Sequence, residues 1–122
     1  MAVLRYLVAD VDAAVAFYTE LLGFELSKRW GPPFAMVRRD DLTLWLSGPD
    51  SSAARKLSDG SSPAPGGWNR LVLKTDALDP LVARLASAAV RFRGDVVSGP
   101  GGRQVLVEDP SGNPVELFEA GD

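Results

Sequence analysis

The chain has 122 residues, enough for one domain or two tightly joined half-domains. Thirteen basic residues against sixteen acidic ones leave a net charge of −3, which argues against a broad phosphate-binding surface and so against nucleic acid. Neither cysteine nor histidine is present, which excludes disulfides, thiolate zinc sites, cysteine nucleophiles, imidazole–metal sites and histidine bases within the chain.

Val3 to Ala9 is short, apolar and broken by Arg5, and reads as a strand. Asp10 and Asp12 follow as helix-cap candidates. Val11, Val15, Tyr18 and Leu22, flanked by Ala14, Phe17 and Leu21, form a wide helical stripe that packs into the core. Gly23 stands where a left-handed cap belongs. Phe24–Trp30 and Phe34–Arg38 read as strands around the Gly31-Pro32-Pro33 break. Leu42, Leu44 and Leu46 alternate with Thr43, Trp45 and Ser47, so one face of the next strand is aliphatic. Gly48 to Gly67 is poor in large apolar residues and reads as a module boundary, or as a functional loop.

The second half repeats the first. Asn69–Thr75 reads as a strand, and Asp79-Pro80 as a helix start with Pro at the first helical position. Leu81, Val82, Leu85, Ala88 and Ala89 supply the apolar stripe. Val90–Val97 is extended but interrupted, Gly99–Gly102 turns, and Gln104–Val107 and Val115–Glu119 are strands joined by the tight turn Asp109–Asn113. The order strand, helix, three strands appears twice, which indicates a duplicated half-domain of about fifty residues. Module one is 1–48, the loop 48–67 and module two 67–120. The start of the chain shows no signal-peptide pattern, and no apolar run approaches the roughly 18 residues of a membrane span, so a cytoplasmic protein is expected. Abundant Ala, Arg, Gly and Val suggest a bacterial source.

Several strings carry a family resemblance. Val8-Ala9-Asp10-Val11-Asp12 leads to Phe17-Tyr18 and then Leu21-Leu22-Gly23-Phe24, and late in the chain comes Glu108-Asp109-Pro110-Ser111-Gly112-Asn113-Pro114-Val115-Glu116-Leu117. Together they resemble the vicinal oxygen chelate superfamily of glyoxalases, bleomycin resistance proteins and extradiol dioxygenases. The resemblance implies an α+β fold of two tandem βαβββ modules whose curved mixed sheet surrounds a cavity. It also implies four metal-ligand positions, two per half. Here they fall on Val3 and Asn69 of the first strands and on Trp45 and Glu116 of the last strands. Of these, Glu116 alone has a usual ligand type. The indole of Trp45 only donates, and the Asn69 amide is a weak ligand for hard cations. The expectation is a protein without a resident metal or other cofactor.

Strand alternation turns Glu116 and Phe118 to the face opposite Val115 and Leu117. In this fold that face lines the cavity, as Trp45, Thr43 and Ser47 do from the first half, with Asn69 and Leu71 beside them. Phe34, Met36 and Arg38 form an alternating set that joins them. Trp30 and Trp68 stand at strand mouths. Arg103 is a rim residue that can hold an anionic substituent. Two functions fit. One is a metal-free small-molecule-binding protein of the bleomycin-resistance type, acting by sequestration of a drug or metabolite. The other is a lyase or isomerase for a small oxygenated substrate, with Glu116 in an apolar cavity as general acid or base. The resemblance further implies a twofold homodimer.

Overall fold

A computed structural model describes residues 1–121. The chain divides into two compact units, one formed by Met1–Gly66 and one beginning at Gly67. Each is a mixed sheet with a helix on one face.

In the first unit, β1 (Ala2–Leu7) leads into α1 (Val11–Ala16), followed by β2 (Glu25–Trp30), β3 (Phe34–Arg39) and β4 (Leu42–Ser47). Asp10 caps α1 by accepting the Ala13 N–H at 3.1 Å. Asp12 is in the first turn and pairs with Arg29 at 2.6 Å. The helix continues as a π-helical turn, Phe17–Leu21, and Gly23 (φ +75°) reverses the chain. That wider turn buries Phe17 and Tyr18, and Tyr18 meets Phe17 and Phe24 edge-on at 5.0 and 5.4 Å. The sheet order is β1-β4-β3-β2. β1 is parallel to β4, whereas the others are antiparallel hairpin neighbours. Leu44, Leu46, Ala35 and Val37 are fully buried, and Val11, Ala14, Phe17 and Leu22 join them in the core. Trp45, Thr43 and Ser47 therefore stand on the opposite face.

In the second unit, β5 (Leu71–Lys74) precedes α2 (Leu78–Ser87), then β6 (Arg91–Phe92), β7 (Val97–Gly99), β8 (Gly102–Glu108) and β9 (Pro114–Ala120). The order is β5-β9-β8, with β6 and β7 both paired to β8. The interrupted stretch expected over 90–97 is this divided strand. Leu71, Leu73, Leu78, Leu85, Val105, Val107, Val115 and Leu117 form the core. β5 and α2 differ in extent from the sequence reading. β5 is shorter than 69–75, because its parallel pairing with β9 begins only at Leu71↔Val115. α2 begins at Leu78, so Pro80 is its third residue, where an N–H has no intrahelical partner in any case. No side chain of residue 77 caps this helix; Glu119, from β9, accepts the Leu78 N–H at 3.0 Å.

The turn before β9 is closed by Asp109, which is 4% exposed and accepts N–H groups from Ser111 and Asn113 at 2.9 Å each. Gly102 has φ +146°, and a Cβ there would come within 2.1 Å of the Glu119 carbonyl oxygen. The stretch after Gly48 belongs to the first unit and holds itself by local bonds, including Asp59 to the Ser61 N–H and hydroxyl. Among the described residues, no helix is long and apolar enough to cross a membrane.

Candidate functional site

The helix-free face of the first sheet carries a cleft of about 410 Å³. Phe34, Met36 and Trp45, all expected site residues, line it together with Arg5, Trp30 and the loop residues Asp50–Ser52. Register explains the grouping. Arg5 stands opposite Trp45 across the parallel pair, Met36 stands opposite Trp45 on the other side, and Phe34 stands opposite Trp30. The rings form a row over three adjacent strands. Trp30 and Phe34 have centroids 5.4 Å apart, and Phe34 and Trp45 are 5.9 Å apart. Arg5 lies over the Trp45 ring at 4.9 Å and donates to the Ser47 hydroxyl at 3.2 Å. Lys28 lies over Trp30 at 4.4 Å, at the other end of the row.

The loop that reads as a linker supplies one wall of this cleft. Gly48 donates its N–H to the Pro33 carbonyl at 2.8 Å, and a Cβ on it would meet the Val11 side chain at 2.8 Å. Ser51 then folds back, its hydroxyl bonding to the Gly48 carbonyl at 2.7 Å. Composition hides this role, because the contacts are made by backbone and small side chains. Arg5 was also hidden: it reads as a flaw in an apolar strand, although its alternation with Val3 and Leu7 was a usable signal.

Thr43 and Arg38 share the parity of Trp45 but do not line the cleft. Thr43 is buried and contacts the Met1 sulfur at 3.4 Å, while Arg38 bonds to the Asp40 carbonyl at 3.3 Å.

In the second unit, Glu116 lines a smaller pocket of about 240 Å³ with Arg70, Arg93, Asp95 and Gln104. Val97, Val105 and Leu106 also line it, but the charged groups beside Glu116 correct the purely apolar cavity expected for it. Arg70 donates to Oε1 of Glu116 twice, from Nε at 3.1 Å and Nη2 at 3.0 Å. Arg93 donates to Glu108 at 2.7 Å and to the carbonyls of Gly67 and Gly112 at 2.7 and 2.9 Å, and it stacks on Trp68 at 4.6 Å.

Register corrects three further expectations. Val72, not Leu71, stands opposite Glu116, so Leu71 is on the buried helix side. By the same count Arg70, not Asn69, matches Val3 of the first unit; Asn69 is exposed and precedes the strand. Arg103 pairs with Glu119, which shares the parity of Val115 and Leu117, and so it is on the helix side. There it bonds to Asp79 of α2 at 3.0 Å and to Glu119 at 2.7 Å, and both carboxylates occupy it. Those bonds, to Glu119 first and Asp79 second, push its ionisation further up. Glu119 is held below the usual carboxylate range, first by the Leu78 N–H and then by Arg103. Phe118 is half-buried opposite Gln104 and Lys74 and lines neither pocket.

Residues 1–117 match the Glyoxalase/Bleomycin resistance protein/Dioxygenase superfamily, and the chain belongs to it. Two sheets of mostly antiparallel strands with few helices are consistent with that superfamily's fold. Among solved structures, the chain is similar to TnmS3, an antibiotic-binding protein from Streptomyces sp. CB03234. The identity is 29%, the TM-score 0.73, and the match covers 98% of this chain and 93% of that one. A superfamily member from Sphaerobacter thermophilus DSM 20745 is 27% identical with TM-score 0.76, over 98% and 95% of the two chains. A lactoylglutathione lyase from Agrobacterium tumefaciens shares the fold at 22% identity and TM-score 0.75, over 98% and 92%. No curated protein sequence matches the chain.

The metal held by enzymes of this superfamily does not fit the donor set here. Val3 is an exposed aliphatic side chain, Trp45 offers only a donor, and Glu116 already accepts two N–H groups from Arg70. Arg70, at the fourth position by register, is a cation. Among the described residues, no three acidic side chains gather closely enough to hold an ion.

Proposed function

We propose that this protein binds and sequesters a small organic molecule, a drug or metabolite, in the aromatic cleft of its first unit, and does so without a metal. The row of Trp30, Phe34 and Trp45 with Arg5 at its end carries this reading. A mostly apolar concavity of this size with a few fixed polar groups suits a drug-sized ligand. The antibiotic-binding neighbour at 29% identity supports it as well. Against catalysis by Glu116 stands its engagement with Arg70, which holds one of its oxygens with two N–H donors. The protein is proposed to work as a twofold homodimer in the cytoplasm, a state that light scattering measures.

A thermal-shift screen of small molecules tests the reading, since a ligand that binds only the native state raises its melting temperature. Trp45→Ala is expected to weaken a hit by about 1 kcal/mol or more in titration calorimetry, the effect of losing a buried aromatic anchor. Unchanged affinity would remove the cleft from the site. Elemental analysis after dialysis is expected to find no stoichiometric zinc, nickel or iron. One such ion per chain, lost together with stability on chelation, would return the protein to the metalloenzymes.

A further inference from the structure

We propose that the occupant of this cleft is a planar, conjugated organic anion, and that Arg5 is the residue that selects its charge. This rests on the binding reading above and specifies the ligand class.

Flatness follows from the rings. Trp30, Phe34 and Trp45 come from three adjacent strands, and successive rings tilt by 47° and 77°. Faces and edges thus alternate along the wall. A flat conjugated ligand meets them in offset-stacked or edge-to-face contact, the arrangements that aromatic pairs favour. A saturated ligand of the same size gains only burial.

Charge follows from Arg5. Arg29, Arg70, Arg91, Arg93 and Arg103 all end on carboxylates. Arg5 does not: its hydrogen bond goes to the neutral hydroxyl of Ser47, and among the described residues no carboxylate lies in ion-pair range. Its charge is therefore not compensated locally. One face of the guanidinium is taken by Trp45, and Ser47, fully buried, holds Nη1. The remaining edge N–H groups are preorganised for an in-plane carboxylate or phenolate. Asp50 lines the same cleft from the exposed loop and repels an anion, which orients the anionic end of the ligand toward Arg5.

The test is calorimetric titration of the wild-type protein with naphthalene carboxylate, naphthalene carboxamide and the saturated decalin carboxylate. The flat anion is expected to bind about tenfold tighter than the amide, the difference a charge-assisted pair makes. It is also expected to bind more tightly than the decalin acid. Arg5→Gln, checked for an unchanged melting curve, is expected to bring the acid down to the affinity of the amide and leave the amide unchanged. Where that variant misfolds, added salt on the wild type reads the same quantity, because the advantage of the acid must shrink as salt rises. Equal binding of acid and amide, or discrimination that survives Arg5→Gln, overturns the charge assignment and leaves the binding reading standing. An equally good decalin acid overturns the planar assignment. No binding of any probe at millimolar concentration overturns the binding reading and this inference together.

Discussion

The two units present the same backbone positions with opposite chemistry. In the first, Trp45 stands between Arg5 and Met36; in the second, Glu116 stands between Val72 and Leu106. Around Trp45 a cation lies on a ring, and among the described residues it forms no ion pair with an acid. Around Glu116 each cation ends on an acid or a backbone carbonyl. The comparison teaches that a sheet face fixes where side chains point and nothing about what they do. Around Glu116 the charges are spent on internal pairs, whereas the proposed role of Arg5 needs its charge to face a ligand.

The sharpest way to break this contrast is at Gly102. Its φ of +146° and the 2.1 Å approach to the Glu119 carbonyl leave no room for a side chain. Gly102→Ala is expected to destabilise the protein by about 3 kcal/mol or more in denaturant unfolding. A near-normal midpoint would show that the β8–β9 pairing tolerates a shift. Arg93→Ala comes next. It removes three hydrogen bonds and a stacked ring, and an expected loss of about 2 kcal/mol is set by the charged bonds. Ligand affinity in the first unit should not move, and a joint loss of both would blur the division of labour.

Glu116→Gln has a smaller expected effect, about 0.5 kcal/mol, because Arg70 is partly solvated. A loss of turnover with any substrate found by screening would instead give Glu116 a chemical role. The last prediction is read as a trend in pH. Glu119 titrates below its ordinary 4.5 in the folded protein, so its stabilisation is present above that value and is lost as pH falls through the folded one. Glu119→Gln should melt earlier than the wild type at neutral pH, and the gap should close in acid. A gap that persists in acid would assign the effect to packing.

What the sequence determined by itself was local. The period of 3.6 in Val11–Leu22 and of two in Leu42–Ser47 settled the helix and the buried face of β4, since both are set by near neighbours. The β-α-β-β-β order, the tight turn at Asp109–Asn113 and the family strings were legible for the same reason, and with them Phe34, Met36 and Trp45 as one lining set. Pairing across long separations was left to the tertiary structure. Arg5 finds Ser47 from 42 positions away, and Glu119 caps a helix that begins 41 positions earlier. A one-residue slip in parallel register reverses every side chain, which is how Asn69 and Leu71 were misplaced and Arg70 overlooked. No local pattern encodes that register; it is chosen by the packing of both sheet faces at once, and the chemistry of each face follows from it.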